Sequence, residues 1–201
     1  QRTVAVGFNA GNIAMSDNAT AIGENAGALN QGGFAVAVGS LAGSTNQSER
    51  GVAIGHRAGQ SVQGVDSVAV GFEAGQSNQG TLSVALGAQA GTSGQAAESV
   101  AIGQISQQQH GIAIGRLAGR TTQGELGIAI GYGAGGSVQG TGSIAVGDRA
   151  GQVDQGTNCI AIGSRSGGNV NGAGQFSQQT LSVAIGHFCG HTQQGIAAAG
   201  G

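Results

Sequence analysis

Ser67-Val68-Ala69-Val70-Gly71 is followed sixteen residues later by Ser83-Val84-Ala85-Leu86-Gly87, and sixteen later again by Ser99-Val100-Ala101-Ile102-Gly103. Outward from this stretch the same pattern runs to both ends of the chain. It begins at Val4-Ala5-Val6-Gly7 and returns with its glycine at Gly23, Gly39 and Gly55. Beyond Gly103 the glycine recurs at Gly115, Gly131, Gly147 and Gly163, and the series closes at Val183-Ala184-Ile185-Gly186. The twelve copies keep a step of sixteen except for one of twelve, Gly103 to Gly115, and one of twenty-three, Gly163 to Gly186. Self-similarity at a short fixed period marks a solenoid, in which no repeat buries its apolar face alone. Function then belongs to a shape and a surface rather than to a pocket.

Composition narrows the class. Glycine supplies 43 of 201 residues, proline and tryptophan are absent, and 8% of residues are charged. Collagen is excluded, because it needs glycine every third residue with abundant proline. Disorder is excluded by aliphatics locked in phase. All seven basic residues are arginine, and a net charge of -2 offers no footprint for nucleic acid or an anionic membrane. No stretch approaches the roughly 20 apolar residues of a membrane span, so no membrane insertion is expected from this segment. Cys159 and Cys189 occupy different repeat positions and read as unpaired small residues, with a disulfide or an intermolecular bridge as the alternative. The chain starts at Gln1 and lacks polar caps, so it reads as part of a longer fibre.

Aligned repeats give each position a task. Apolar, small, apolar over three residues is the alternation of a short strand with one buried face. The flanking positions hold 24 residues, all Val, Ile or Leu except Thr20, and the middle one is always Ala. On this reading the aliphatics are the core, and the unbroken Ala ladder is a second face against which something packs closely. Ala-Gly follows three residues beyond the motif glycine, as in Ala58-Gly59, and marks a corner that excludes a β-carbon. Glutamine recurs eight residues after that glycine, at Gln31, Gln47, Gln63, Gln79, Gln95, Gln123, Gln139, Gln155 and Gln194. Amides stacked at about 4.8 Å are expected to form a ladder between coils. Each coil therefore reads as strand, corner, second extended segment and Gln-Gly turn. The expected fold is all-β: a parallel β-solenoid of about twelve sixteen-residue coils, one repeat domain over 1–201, irregular near 104–115 and with a loop insertion near 168–176.

Ser67-Val68-Ala69-Val70-Gly71, Ser99-Val100-Ala101-Ile102-Gly103 and Ser182-Val183-Ala184-Ile185-Gly186 resemble the head repeats of trimeric autotransporter adhesins. Similar repeats occur in trimeric fibre proteins of bacteriophages and large DNA viruses. The resemblance spans all twelve copies and implies a left-handed parallel β-roll assembled as a homotrimer. The sixteen-residue period, with its Ala-Gly and Gln-Gly elements, looks closer to the viral fibres than to bacterial heads, whose repeat is usually shorter. It implies a structural and attachment module on a virion or cell surface, presenting a host-receptor or glycan-binding surface. A bacterial adhesin head is the alternative, and an ice-binding solenoid a further one.

Six aromatics give a lone roll little core, so the Ala face is the expected trimer interface: Ala5, Ala37, Ala53, Ala69, Ala85, Ala101, Ala113, Ala129, Ala145, Ala161 and Ala184. The residues directly after each motif glycine, among them Phe8, His56, Phe72, Arg116, Tyr132 and Asp148, vary as a solvated rim does. His187, Cys189 and His191 alternate and form a weak metal candidate, but Gly190 breaks strand geometry between them, and no metal or other cofactor is expected. Nine acids scattered singly offer no carboxylate pair across a cleft, and no nucleophile has a recurring partner, so no enzyme is expected. Asn18-Ala19-Thr20 and Asn46-Gln47-Ser48 are acceptor sequons.

Overall fold

A computed structural model describes residues 2–103, 111–167, 179–187 and 189. All regular structure among them is β, in two compact units, Gln1–Ser106 and Gln107–Gly201. In the first unit the motif supplies seven strands, Val4–Val6, Thr20–Ile22, Val36–Val38, Val52–Ile54, Val68–Val70, Val84–Leu86 and Val100–Ile102. Each pairs in parallel with the next, in the register of the repeat: Val52 on Val68, Ala53 on Ala69, Ile54 on Val70. A second ladder runs through Ile13–Met15 and Leu29–Gln31, then through single bridges such as Gln47 to Gln63 and Ser77 to Ser93. The second unit repeats the arrangement with Ile112–Ile114, Ile128–Ile130, Ile144–Val146, Ile160–Ile162 and Val183–Ile185, its second ladder passing from Thr122–Gln123 to Val138–Gln139.

About nine turns are complete among the described residues, six in the first unit and three in the second, rather than the predicted twelve. Twelve strands bound eleven steps, and two of those steps pass through residues outside the description. The irregular coil near 104–115 falls there up to residue 110, and the loop near 168–176 falls there entirely.

The roll is inside out relative to the sequence reading. Ala21, Ala37, Ala53, Ala69, Ala85, Ala101, Ala113, Ala129, Ala145, Ala161 and Ala184 are buried within a single chain. Only Ala5, in the first coil, is exposed. The Ala ladder therefore cannot serve as an interface between chains, because it already faces the interior of its own roll. The flanking aliphatics point out: none of the Val, Ile or Leu residues of the motif strands is buried. Coil perimeter is the cause. Sixteen residues divided between two ladders and their corners leave the walls so close that a methyl group fits between them and a branched side chain does not. Apart from Cys159, every buried apolar side chain among the described residues is an alanine.

Glutamine fills what remains of the interior. Gln63 Nε2 donates to the carbonyl oxygens of Val52 at 2.7 Å and Ser67 at 3.3 Å, and Gln139 repeats the pattern on Ile128 and Ser143. The amide thus ties the second segment to the motif strand of the same coil. Gln31 Nε2 also reaches Gln47 Oε1, at 3.3 Å. That is the one amide-to-amide bond among the described column glutamines, so the expected ladder is realised at a single step; at the others backbone carbonyls alone take the Nε2 hydrogens. Gln194 lies outside the described residues.

The amide also explains the Ala-Gly corner. Gly59 has φ +53°, and a β-carbon there would stand 2.7 Å from Gln63 Oε1. The motif glycine answers to a different neighbour: at Gly55, φ +125°, a β-carbon would meet the Gly71 carbonyl oxygen at 2.6 Å.

Candidate functional site

With the alanines inside, the outer face of the motif strands becomes a candidate surface. Thr20, Val36, Val38, Val52, Val68 and Val70 are partly exposed, and Ile22, Ile54 and Leu86 more so, at 39 to 42%. The second unit has its own row, Ile112, Ile114, Ile128, Ile130, Ile144, Val146, Ile160 and Ile162. In-register stacking converts a three-residue alternation into two parallel aliphatic rows on each unit. A contiguous apolar surface of this kind marks an interaction face. The sequence supplied its residues but assigned them to the core.

The corners carry the polar and aromatic rim. His56 and Phe72 stack at 5.6 Å, and Arg57 pairs with Glu73 at 3.2 Å. On the opposite corner Arg50 Nη2 donates to Asp66 at 2.9 Å. That hydrogen bond from Arg50 holds the Asp66 carboxyl below the usual aspartate range and raises the guanidinium in turn. These pairs link residues sixteen or so apart in sequence, so coil stacking, not local sequence, creates them. Among exposed groups they contribute little energy.

In the second unit the rim gathers cations around one ring. The guanidinium carbons of Arg116 and Arg149 lie 5.8 and 5.5 Å from the centre of the Tyr132 ring. A cleft of about 100 Å³ opens beside them, lined by Leu117, Arg120, Gly133, Ser137, Arg149 and Gln152 together with Tyr132. Sequence reading placed Arg116 and Tyr132 on the rim but not Arg149. Arg116 and Tyr132 each follow a motif glycine directly, whereas Arg149 stands one position later, so a column-by-column reading separates them.

The weak metal candidate falls only partly within the described residues. His187 and Cys189 are described and Cys189 is a free thiol, but His191 lies outside the described residues. Among those residues no group of three or more His, Cys, Asp or Glu is placed to hold a metal. Cys159 is buried and unpaired, its thiol donating to the Gln179 carbonyl. No helix among the described residues is long and apolar enough to cross a membrane.

These features define the class as a parallel β-solenoid repeat protein whose distinguishing surface is the outer face of its strands. Residues 79–106 match the YadA head domain repeat in two copies, so the resemblance to the head repeats of trimeric autotransporter adhesins holds on a stretch that contains two motif strands. No curated protein matches the chain.

Proposed function

We propose that this chain is a structural and attachment module of a trimeric surface fibre, three rolls packing through their outward Val/Ile rows. The observation that carries the reading is that aliphatic flanking positions of the motif remain open in a single chain while the alanines between them are buried. Among the described residues nothing buries that face, and association is the ordinary way to remove such a surface from water. The adhesin-head match at residues 79–106 supports both the trimer and an exposed extracellular setting. On the sixteen-residue period a virion fibre is the leading form of this reading and a bacterial adhesin head its alternative. The role is non-catalytic: a rigid scaffold that presents a receptor- or glycan-binding rim. The ice-binding alternative loses its ladder, since the alanines that would have formed it are inside.

Sedimentation equilibrium tests the assembly. Three chains of 19.2 kDa make 57.6 kDa, the mass expected. A stable monomer at micromolar concentration overturns the proposal.

A further inference from the structure

We propose that the cleft beside Tyr132 binds a carboxylate-bearing saccharide, with Arg149 in its lining taking the carboxylate and Arg116, on the same Tyr132 ring, adding positive charge nearby. The inference deepens the attachment reading and rests on it for biological meaning, although the site is built by a single unit of a single chain. Its origin is a missing side chain. In the second position after the motif glycine, successive coils carry Leu117, Gly133 and Arg149, so Gly133 is a gap between two long neighbours. A β-carbon placed there would have no heavy atom nearer than Arg149 Cγ at 3.5 Å and Gln152 Nε2 at 3.7 Å. The gap is the floor of the cleft.

The lining has the chemistry of a sugar acid. Tyr132 and Leu117 supply an apolar wall suited to the carbon face of a pyranose. The Ser137 hydroxyl and the Gln152 amide can meet sugar hydroxyls. Tyr132 holds two guanidiniums by cation–π contact, and among the described residues no carboxylate lies within 4.0 Å of Arg116 or Arg149. Planar guanidinium forks match a carboxylate in pairs of hydrogen bonds. Asp148, next to Arg149 in sequence, takes no part in an ion pair with either arginine, so an incoming anion does not have to displace it. The volume, about 100 Å³, suits one terminal sugar rather than a threaded polymer. A net charge of -2 gives a long polyanion no basic track to follow.

The test is calorimetric or NMR titration of the whole chain with sialyllactose and with a glucuronate-terminated disaccharide, each beside its carboxyl-reduced form. Monovalent ligands remove any dependence on avidity. Saturable binding of at least one acid, absent from its reduced form, is expected; Arg149→Gln should weaken it about tenfold or more, and Arg116→Gln by less. Thermal melting of both variants confirms that they fold, and Arg116 is exposed enough to be replaced without disturbing the roll. Failure of both acids, equal binding of the reduced sugars, or unchanged affinity in Arg149→Gln overturns the site. Sedimentation of the same samples separates the two proposals. A trimer that binds neither acid removes the site alone, and a monomer that binds removes only the fibre assembly.

Discussion

Each coil depends on a small number of contacts that admit no larger atom. Ala69 is wholly buried, with Gly75 and Gln79 close above it, so Ala69→Leu should destabilise the fold by roughly 1–3 kcal/mol or more, read as a lowered urea midpoint. Gly59 and Gln63 form a sharper case. Gly59→Ala incurs the left-handed backbone cost of about 1–2 kcal/mol and collides with Gln63 Oε1. Gln63→Ala removes the side-chain donor from the Val52 and Ser67 carbonyls, the second of which keeps the Val52 N–H at 2.9 Å, a loss of about 0.5–1.5 kcal/mol for each hydrogen bond. The double variant should be less damaged than the two losses combined, since removing the amide removes the collision. Strict additivity in denaturant melts would show that the two residues do not meet. At the surface, the depressed Asp66 carboxyl contributes stability that is present above the ordinary aspartate pKa and lost as pH falls through its lowered value. Asp66→Asn should flatten that small acid limb in melting experiments run from neutral pH downward, and an unchanged limb would assign it to another group.

At the scale of the strand, the question is which side of Val-Ala-Val faces in. Period-two alternation was legible, as was the register, because sixteen-residue spacing leaves only one way to stack identical motifs. Orientation was not. Pattern alone gives the core to the larger aliphatics, and only the short perimeter of the coil, fixed by corners at positions such as Gly55 and Gly59, shows that beneath the motif strand the interior holds a methyl group and no branched aliphatic. The glutamines were legible as a recurring column but not as cross-braces, since their partners are backbone carbonyls that no sequence displays. The Tyr132 cleft was hidden for a related reason: its arginines occupy different columns of the repeat. The orientation has a direct test. Val68→Lys with Val70→Lys should leave a folded roll, because both side chains point outward, yet reduce the sedimenting mass to that of one chain. A doubly substituted protein with the parent's mass would show that chains meet through some other surface.

At the scale of the molecule, stability within each unit is a chain of nearest-neighbour terms, since the described coils hydrogen-bond to the coils before and after them. A lesion should therefore stay local. In Ala69→Leu, amide hydrogen exchange is expected to quicken at the strands of Ala53, Ala69 and Ala85 while the strand of Ala145 keeps its protection. Uniform loss of protection along the chain would mean that it unfolds as one cooperative body. The in-register stacking of alanine on alanine and glycine on glycine also constrains how such a chain can lengthen. Material added in the middle of a coil has no slot in either wall and must leave the roll as a loop, whereas a duplicated coil finds every partner already in place. Growth is thus counted in whole turns, and a gene encoding this fold can alter the reach of its product by unequal recombination between repeats, without inventing a single new contact.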